Sequence, residues 1–400
     1  MNAYSGEQLV TLHKKYVLNT YSPELVFVKG AGVHLWDDTG RQYLDFAAGI
    51  SVSNLGHCHP AVVQAIANQA ASLMHLSNLY YNPVQPLLAE KLLQHAFDGM
   101  AFFANSGAEA NEGLIKLARK WGNPKGKNEI IVMEESFHGR TLATLAATGR
   151  KKYREGFEPD MPGFVHVPFN DLEAIKSAIG PQTAAVMLEP IQGEGGIIPA
   201  DPGYLKAVRA FCDEKGILLL FDEVQCGMGR TGYLFAWQGY GVEPDAFSLA
   251  KALGNGFPIG AFLVRRSLVD VLGPGTHAST FGGNPLGCAA ACAVLDTIHK
   301  EHVLANCVKQ GHYLKEKLQS LAARHPCVKG VRGRGLMIGL LLDRPASSLL
   351  PLLRAQGLIA LSAGEKVLRL LPPLIVTAGQ VDEAVGMIDR ALTKLPPLAD

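Results

Sequence analysis

Short apolar runs alternate with helical stretches from about residue 59 to about residue 290 of the chain. The helical patterns cover residues 59–75, 83–96, 108–121 and 204–215, and the apolar runs cover residues 101–104, 130–133, 184–188, 217–221 and 246–249. Runs this short, separated by helices, are typical of buried strands in a parallel sheet, because each parallel connection needs a crossover that covers one face. The alternation therefore predicts an α/β fold with a mostly parallel sheet flanked by helices.

The two ends of the chain depart from this alternation. A helical pattern over residues 5–20 precedes short strand patterns at 26–28, 33–36 and 42–46. After residue 285, helical patterns continue to about residue 325, and a mixed α/β tail follows. The last helix of that tail begins with the capping-box spacing Thr377-Ala378-Gly379-Gln380. We therefore expect a large domain over residues 59–289, and a smaller α/β domain in which residues 1–58 and 290–400 pack together.

The composition predicts a large core and no strong charge bias. Of the 400 residues, 48% are hydrophobic and 18% are charged, so the chain can bury a large apolar interior. Lys and Arg number 37 against 36 Asp and Glu, which leaves a net charge of +1. This balance argues against nucleic acid or an anionic membrane surface as a partner.

The cysteines and the N-terminal residues indicate a cytoplasmic protein. The seven cysteines are scattered and form no CxxC pair, as expected for reduced thiols. The first residues lack a basic region followed by an apolar one, and no window approaches the ~18 apolar residues of a membrane span. We therefore expect a cytoplasmic location and no membrane partner.

Two of the apolar runs end beside residues that can take part in chemistry. The run 246–249 ends two residues before Lys251, which a glycine-rich turn of small residues follows, and the run 217–221 is followed by Asp222. An amine and a carboxylate at two strand ends suggest an aldehyde cofactor, bound by the amine as a Schiff base, with the acid opposite its ring nitrogen. A surface lysine whose stem packs on the protein gives the same pattern, so Lys251 alone does not decide.

The segment 105–112, Asn-Ser-Gly-Ala-Glu-Ala-Asn-Glu, joins an apolar run directly to a helical pattern. Ser106 can cap that helix, and Glu109 can reach back to it. Gly107 leaves room for a phosphate against the exposed amides of the first turn. A plain capped helix explains the segment equally well. Moreover, a helix dipole contributes only ~0.3–2 kcal/mol per favourable charge, so a phosphorylated ligand needs other anchors.

Further positions carry groups suited to ring stacking or carboxylate binding. Phe137 can cover the face of a ring, and Arg140 can present a planar fork to a carboxylate, although a helix start with a surface arginine gives the same pattern. Arg369 lies inside an apolar strand pattern and therefore needs a negative partner. That partner is either Glu194, in a glycine-rich loop after the run 184–188, or a substrate carboxylate.

Motifs for other ligands are incomplete in this sequence. The GxG sequences at 30–32 and 333–335 do not continue as GxGxxG, the Gly-Lys pair at 126–127 lacks P-loop spacing, and no HExxH occurs. The His-Cys-His sequence at 57–59 contains metal-ligand types, but Pro60 and a helical pattern follow, so a turn is the better interpretation. We expect no bound metal.

Taken together, these segments resemble the class III aminotransferases, the ω-amino-acid group of fold-type-I enzymes that use pyridoxal 5′-phosphate. The likeness runs nearly from end to end of the chain, from Tyr21-Ser22-Pro23 to Leu-Arg-Leu-Leu-Pro-Pro at 368–373. Its most specific pieces are Phe-Asp-Glu-Val-Gln at 221–225, Ser-Leu-Ala-Lys at 248–251, Asn-Ser-Gly-Ala-Glu-Ala at 105–110 and Ser-Thr-Phe-Gly-Gly-Asn-Pro at 279–285. The resemblance implies a fold-type-I transferase that binds pyridoxal 5′-phosphate and acts as a homodimer with shared active sites.

The resemblance also implies which residues bind the cofactor. Lys251 is implied to form a Schiff base with the aldehyde and then to move a proton between the substrate and cofactor carbons. Asp222 is implied to pair with the ring nitrogen and keep it protonated. The other implied positions are Phe137 on the ring face, Gln225 beside the ring hydroxyl, Ser106, Gly107 and Ala108 at the phosphate, and Thr280 of the partner subunit, also at the phosphate.

Two arginines are implied to serve two differently shaped substrates. Glutamate carries a carboxylate beside its reacting amine, whereas acetylornithine reacts at an amine far from its carboxylate. Arg369 is implied to bind the α-carboxylate of glutamate, and Glu194 to neutralise Arg369 when an ω-amine is bound. A buried charge left unpaired would cost ~2–5 kcal/mol, so Arg369 needs such a partner. Arg140 is implied to bind the distal carboxylate of either substrate, helped by Tyr21 and, for acetylornithine, by Ser279.

Within the family, the likeness is greatest to members that act on N²-acetyl-L-ornithine. The resemblance thus implies ping-pong transfer between N²-acetylornithine and 2-oxoglutarate. Succinylornithine, succinyl-diaminopimelate, ornithine and 4-aminobutyrate are alternative donors, a decarboxylase or aminomutase is an alternative reaction, and a binding protein would not need Lys251. Ile50 stands where similar ornithine δ-aminotransferases carry tyrosine, which argues against free ornithine. Cys226 stands where threonine is more frequent, and the sequence leaves open whether its thiol is sensitive to oxidation.

Overall fold

The structure, a computed structural model, describes residues 4–396, so the outermost residues of both expected terminal segments lie outside the described residues. Its strands are β1 (Phe27–Ala31), β2 (His34–Asp37), β3 (Gln42–Asp45), β4 (Gly99–Ala104), β5 (Glu129–Met133), β6 (Phe164–Val167), β7 (Thr183–Leu188), β8 (Ile191–Gln192), β9 (Ile198–Pro199), β10 (Leu218–Asp222), β11 (Ala246–Leu249), β12 (Gly260–Arg265), β13 (Val328–Arg334), β14 (Met337–Leu342), β15 (Leu358–Ile359), β16 (Leu361–Ala363) and β17 (Val367–Leu370).

The α-helices lie mostly between these strands. They are α1 (Gly6–Tyr16), α2 (Ala48–Ser51), α3 (Pro60–Ala70), α4 (Val84–Leu93), α5 (Gly107–Gly122), α6 (Leu142–Ala147), α7 (Lys151–Arg154), α8 (Leu172–Ala178), α9 (Pro202–Lys215), α10 (Pro285–Lys300), α11 (Val303–Arg324), α12 (Leu350–Gln356) and α13 (Ala378–Thr393). The predicted capping box at the start of α13 is confirmed, because the side chain of Thr377 accepts from the amide of Gln380 while the side chain of Gln380 accepts from the amide of Thr377.

A seven-stranded sheet forms the centre of the molecule, in the order β4-β12-β11-β10-β7-β5-β6. Only β12 runs antiparallel to its neighbours, and the other adjacent pairs are parallel. The predicted mostly parallel sheet is therefore confirmed. Neither β6 nor β12 was among the predicted runs.

Both faces of this sheet are buried under helices. In β10, Leu218 and Leu220 belong to an apolar cluster with residues of α5, whereas Leu219 and Phe221 belong to a second cluster with residues of α9. Alternate residues of a strand point to opposite faces, so helices on both sides exclude water from this strand. The continuous apolar run that predicted β10 follows from this two-sided burial.

The parallel arrangement brings several strand ends to one edge of the sheet. Asp222 at the end of β10 is in register with Ser248 of β11, and Lys251 follows three residues later. The strand β4, which is also antiparallel to β12, ends at the same edge and leads into α5. Ligands of open α/β sheets bind beyond the carboxyl ends of the strands, so this edge is where a site is expected.

A second sheet joins the two ends of the chain. Its order is β1-β2-β3-β15, and β15 pairs in parallel with β3 through Leu44 to Leu358 and Asp45 to Ile359. A separate C-terminal sheet has the order β13-β14-β17-β16. This pairing supports the proposal that both chain ends build the smaller domain, while the boundaries after residues 58 and 289 stay a prediction. Across residues 4–396, no helix combines the length and the apolar character needed to cross a membrane.

Candidate active site

A cavity of about 390 Å³ lies at the edge where β4, β10 and β11 end. Its volume falls within the ~300–1,000 Å³ typical of small-molecule sites. The predicted site residues that line it are Ser106, Gly107, Ala108, Phe137, Arg140, Asp222, Gln225 and Lys251. The strand ends therefore bring the predicted amine, the predicted carboxylate and the predicted phosphate turn into one cavity.

Lys251 follows β11 and lines the cavity, so the alternative of an ordinary surface lysine is wrong. Its backbone φ is 48°, a left-handed value that is uncommon for a residue with a side chain and that often marks a functional position. Burial is the main cause that lowers the pKa of Lys251, and it outweighs the opposing effect of the Glu194 carboxylate. A lowered pKa leaves more of the amine unprotonated and nucleophilic near neutral pH.

Asp222 is buried and held by three hydrogen bonds. Its Oδ2 accepts from Nδ2 of Asn111 at 2.7 Å and lies 2.8 Å from Nδ1 of His138, while its Oδ1 accepts from the amide of Val224 at 2.9 Å. Asn111 is fixed in turn by the hydroxyl of Ser248, which donates to its Oδ1 at 2.6 Å. The carboxylate thus has one fixed orientation in the cavity wall. The roles of His138 and Asn111 were missed in the sequence.

His138 forms a buried ion pair with Asp222. Burial alone would lower the pKa of His138, but the hydrogen bond and the charge of Asp222 outweigh it, so the pKa is raised. Within residues 4–396, its Nε2 has no hydrogen-bond partner. His138 therefore holds one oxygen of the Asp222 carboxylate in place from inside the protein.

Glu189 connects the end of β7 to the residue expected on the ring face. Its Oε1 accepts from the amide of Phe137 at 2.9 Å, and its Oε2 accepts from the amide of Gly193 at 3.1 Å. Burial and then the charge of Asp222 raise the pKa of Glu189 to about 7. Glu189 also lines the cavity, and its contact with Phe137 was not anticipated from the sequence.

The start of α5 is capped as predicted. The hydroxyl of Ser106 accepts from the amide of Glu109 at 3.2 Å. Glu109 also reaches back, because its Oε2 accepts from the hydroxyl of Ser106 at 3.3 Å and from the amide of Asn105 at 2.7 Å. A side chain at Gly107 would bring a Cβ to 2.8 Å from Val224, so only glycine fits at this turn. The first-turn amides can therefore meet an anion in the cavity.

Arg369, in β17, has the negative partner that the sequence predicted. Its Nη1 donates to Oε1 of Glu194 and, at 3.2 Å, to Oε1 of Gln225. The amide of the Gln225 side chain lies 3.4 Å from the same oxygen of Glu194. Burial raises the pKa of Glu194, but the charge and hydrogen bond of Arg369 outweigh it and lower the pKa. We call Arg369, Glu194 and Gln225 the Arg369 triad.

Arg140 stays exposed at the mouth of the cavity. Its guanidinium lies 4.1 Å from the ring centre of Tyr153 and 5.4 Å from that of Phe137, a geometry that favours cation–π attraction. Among the residues that the structure describes, it has no ion-pair partner. The guanidinium is thus available to a carboxylate, and Tyr153 is a contact that the sequence did not reveal.

Five predicted substrate or cofactor residues lie outside the cavity lining, namely Glu194 and Arg369 of the triad together with Tyr21, Ser279 and Thr280. Tyr21 has 81% of its surface exposed, and Thr280 is also exposed. The hydroxyl of Ser279 accepts from Nδ2 of Asn105 at 3.1 Å, and Asn105 does line the cavity. Ser279 is therefore next to the site, whereas Tyr21 and Thr280 lie on the surface.

The segment Ala48–Ser51 beside the cavity, labelled α2 above, is a left-handed turn and not a regular α-helix. The φ values are 47° at Ala48, 62° at Gly49, 65° at Ile50 and 62° at Ser51. A left-handed conformation disfavours residues with a Cβ by roughly 1–2 kcal/mol each, so tertiary contacts must hold this turn. The next residue, Val52, lines the cavity. The turn carries Ile50, the position at which the sequence suggested selection between substrates.

Cys226 is not placed as expected for a redox-sensitive thiol. Only 1% of its surface is exposed, and burial raises its pKa well above the ordinary value. The reactive form of cysteine is the thiolate, which a buried apolar site disfavours. The burial of Cys226 therefore argues against the redox sensitivity that the sequence left open.

The His-Cys-His sequence at 57–59 forms the predicted turn. Cys58 has a φ of 49°, His59 immediately precedes α3, and Nε2 of His57 lies 2.7 Å from Oδ2 of Asp45. Within the described range, no group of three or more His, Cys, Asp or Glu side chains is placed to hold a metal ion.

The donor set of the cavity fits pyridoxal 5′-phosphate. Lys251 offers a primary amine to an aldehyde, Asp222 offers a fixed carboxylate to a ring nitrogen, and residues 106–108 offer amides to a phosphate. Phe137 lies in the same wall, where an aromatic ring can cover a planar ligand.

Comparisons with known proteins agree with this assignment. A family model for Aminotransferase class-III matches residues 16–392. An acetylornithine aminotransferase of Caldanaerobacter subterraneus subsp. tengcongensis is 50% identical over 392 residues, which cover 97% of this chain and 100% of that protein. The structure of the ornithine aminotransferase from Toxoplasma gondii ME49 matches with a TM-score of 0.93 and 33% identity, covering 97% of this chain and 94% of that one. The N-acetylornithine aminotransferase from Stenotrophomonas maltophilia K279a matches with a TM-score of 0.84 and 38% identity, covering 96% and 98%.

Proposed function

The chain belongs to the class-III aminotransferase family, and on that premise we propose that it transfers an amino group between N²-acetyl-L-ornithine and 2-oxoglutarate, with pyridoxal 5′-phosphate as cofactor. The products are N-acetyl-L-glutamate 5-semialdehyde and L-glutamate, and the reaction serves arginine biosynthesis. The observation that carries the proposal is that Lys251 and Asp222 line one cavity in a chain 50% identical to an acetylornithine aminotransferase.

Each cavity residue has a task in this reaction. When bound, the cofactor supplies an aldehyde that takes up the amino group and a ring that withdraws electrons. Lys251 holds the transferred proton at Nζ, which its lowered pKa suits to act as a base. Asp222, held by His138 and Asn111, would pair with the ring nitrogen of the bound cofactor. Phe137 would cover the ring and exclude water from it.

The two arginines sort the two substrates by the position of their carboxylates. Arg369 binds the α-carboxylate of glutamate or 2-oxoglutarate, and Glu194 takes the place of that carboxylate while the ω-amine donor is bound. The buried ion pair between Arg369 and Glu194 supports this task, because Glu194 compensates the charge of Arg369 when no substrate carboxylate lies beside it. Arg140 binds the distal carboxylate of either substrate, with Tyr21 and Ser279 as further contacts.

The active unit that we propose is a homodimer in which Thr280 of the partner subunit completes the phosphate site. The exposed segment around Thr280 supports this, because Phe281 is 60% exposed beside it. Asn78 donates to the carbonyls of Ser279 at 3.1 Å and Gly282 at 2.9 Å, which brings the exposed Tyr80 and Tyr81 into the same region. Apolar surface of this extent commonly marks a protein interface.

The cytoplasm is the compartment that we propose for this reaction. All seven cysteines are free, and four of them are buried. Proteins that fold in oxidising compartments commonly pair such residues in disulfides, whereas cytosolic thiols remain reduced.

A panel of ω-amines, assayed for specificity constants with 2-oxoglutarate, tests the substrate assignment. We expect N²-acetylornithine to exceed ornithine by at least ~100-fold, because a site built to contact an acyl group rejects an analogue that lacks it. Ornithine is the second candidate, favoured by the TM-score of 0.93 to an ornithine aminotransferase. If the specificity constant for ornithine equals or exceeds that for N²-acetylornithine, ornithine becomes the assigned substrate.

A further inference from the structure

Arg230 is a fully buried arginine that binds backbone and side-chain oxygens from three parts of the chain. Its Nε donates to the hydroxyl of Ser51 at 2.9 Å, and its Nη1 donates to the carbonyls of Leu336 at 3.1 Å and Pro372 at 2.5 Å. Its Nη2 donates to Oδ1 of Asn54. Within residues 4–396 it has no carboxylate partner, so these oxygens alone compensate its charge.

One side of Arg230 leads to Gln225. The hydroxyl of Ser51 that accepts from Arg230 also donates to the backbone carbonyl of Gln225 at 3.0 Å. Ser51 has a φ of 62° and closes the left-handed turn that begins at Ala48. The contact with Arg230 therefore holds a turn that local backbone preferences disfavour. Through this turn it also holds Gln225, whose side chain contacts both Glu194 and Arg369.

The other side of Arg230 leads to Arg369. Pro372, whose carbonyl accepts from Arg230, lies three residues after Arg369 and just beyond the end of β17. Leu371, between them, donates its amide to the carbonyl of Phe46 at 2.7 Å. The backbone that follows Arg369 is thus fixed at two successive positions. A single guanidinium links the supports of both Gln225 and Arg369.

We propose that Arg230 is a positioning residue that sets the distance between Gln225 and Arg369, and so tunes the Arg369 triad for a substrate α-carboxylate. The inference rests on the proposed function of the triad. Arg230 does not line the cavity, and it acts on the triad only through Ser51 and the Pro372 backbone. Charge-assisted bonds to carbonyls suit this task, because the planar fork of arginine fixes several acceptors in one geometry.

Arg41 provides a matched control. Like Arg230, it donates to backbone carbonyls of the C-terminal segment, at 2.6 Å to Ala355 and at 3.4 Å to Arg354. It also ties the N-terminal and C-terminal segments together, yet it does not line the cavity and contacts no member of the Arg369 triad. Loss of Arg41 therefore reproduces a weakened contact between segments without disturbing the triad.

The test compares the holoenzyme variants Arg230→Gln, Ser51→Ala and Arg41→Gln. For the first two we expect a KM for 2-oxoglutarate raised roughly 10- to 100-fold, because a displacement of about 1 Å at a positioning contact has effects of that size. The KM for the amino donor stays close to that of the wild type. Hydrogen–deuterium exchange rises in residues 46–54 and 369–374, and Arg41→Gln changes neither readout.

The inference is overturned if both KM values rise together in Ser51→Ala, or if exchange in residues 46–54 and 369–374 stays at the wild-type level. If Arg230→Gln does not fold, Ser51→Ala decides alone, since it leaves the other bonds of Arg230 in place. Equilibrium binding of glutarate to each holoenzyme adds a readout that needs no amino donor, and we expect the same loss there. If the wild-type enzyme is inactive with every ω-amine, the proposed function is refuted. Hydrogen–deuterium exchange and glutarate binding would then still test whether Arg230 positions the triad.

Discussion

Nδ1 of His138 lies 2.8 Å from Oδ2 of Asp222, and both side chains are buried. The carboxylate at the end of β10 is therefore held from behind by the imidazole of His138, in addition to the amide of Asn111. These two hydrogen bonds fix the position of the carboxylate in a buried wall. Asp222, at the end of β10, was predicted from the sequence, whereas the role of its loop partner His138 was not.

Replacing His138 by glutamine tests this support. We expect a loss of about 1.5–3 kcal/mol of stability in the pH range where His138 is charged, because a hydrogen bond to a charged group is removed. The folded pKa of His138 is raised, so its contribution is fully present below the unfolded pKa of ~6.5 and disappears as the pH rises through the folded value. Denaturant unfolding of both proteins across this range measures the difference. A constant difference at all pH values would contradict a charged His138.

Lys251→Ala should abolish the borohydride-reducible adduct with pyridoxal 5′-phosphate. Among the residues that the structure describes, Lys251 is the only lysine that lines the cavity. Its removal therefore leaves no primary amine there. Visible absorbance and intact mass after reduction measure the adduct. The matched control is Lys120→Ala at an exposed lysine of α5, which should keep the adduct. An adduct in Lys251→Ala would reject the assignment.

Arg369→Ala should damage the glutamate half-reaction far more than the acetylornithine half-reaction. The variant removes the group that binds the α-carboxylate, a loss of ~2–5 kcal/mol for a buried charge pair. Glu194→Gln should do the reverse, because Arg369 then lacks its partner when the ω-amine is bound. Single-turnover rates with each amino donor measure both effects. Equal losses in the two half-reactions would argue against the switch.

Thr280→Ala should weaken retention of the cofactor, because the partner subunit then lacks one hydroxyl at the phosphate. A neutral hydrogen bond of this kind contributes about 0.5–1.5 kcal/mol, so the dissociation constant should rise by roughly 2- to 12-fold. Dialysis against buffer followed by absorbance measures retention, and sedimentation measures the dimer. Thr393→Ala, near the end of α13, is the control. Separated wild-type monomers that bind the cofactor as tightly as dimers would contradict the shared site.

Glu223 should make the apoprotein less stable as the pH rises. Its carboxyl group accepts from the amides of Ala236 at 2.6 Å and Trp237 at 2.7 Å, and burial raises its pKa from 4.5 to about 8. Between these two values the folded state keeps a proton that the unfolded state releases. The contribution of Glu223 to folding stability is therefore fully present below pH 4.5 and decreases steadily until about pH 8.

Glu223→Gln should flatten this slope, because the amide does not titrate. It should also lower stability at pH 5, where Glu223 has lost little of its contribution, by about 1–3 kcal/mol, since one backbone amide loses its acceptor. Some slope should remain, because Glu189, with a pKa of about 7, acts in the same direction. Denaturant unfolding between pH 5 and pH 9 measures both quantities, and an unchanged slope would disprove the contribution of Glu223.

Much of the central sheet could be predicted because its strands are continuous apolar runs. Two-sided burial of β10 and β11 produces such runs, and their ends located Asp222 and Lys251. The strand β12 was not predicted, since it follows the glycine-rich turn after Lys251 and its antiparallel direction depends on pairing with β4. Pairing partners are set by tertiary packing, which periodicity within one segment does not contain.

The support of the site could not be predicted, because it depends on residues far apart in sequence. His138 and Asn111 meet Asp222 across 84 and 111 positions. The left-handed turn at Ala48–Ser51 contradicts local preference, since only one of its four residues is glycine. Sequence reasoning identified Arg369 and Glu194 because a charge inside an apolar strand demands a partner.

The parallel pairing of β3 with β15 places a constraint on the order of folding during synthesis. Leu44 and Asp45 leave the ribosome more than 300 positions before their partners Leu358 and Ile359. Because chains are made from the N-terminus onward, β3 can pair early with β2, but its other edge stays open until β15 emerges. The strands of the central sheet are all synthesised before that edge is closed.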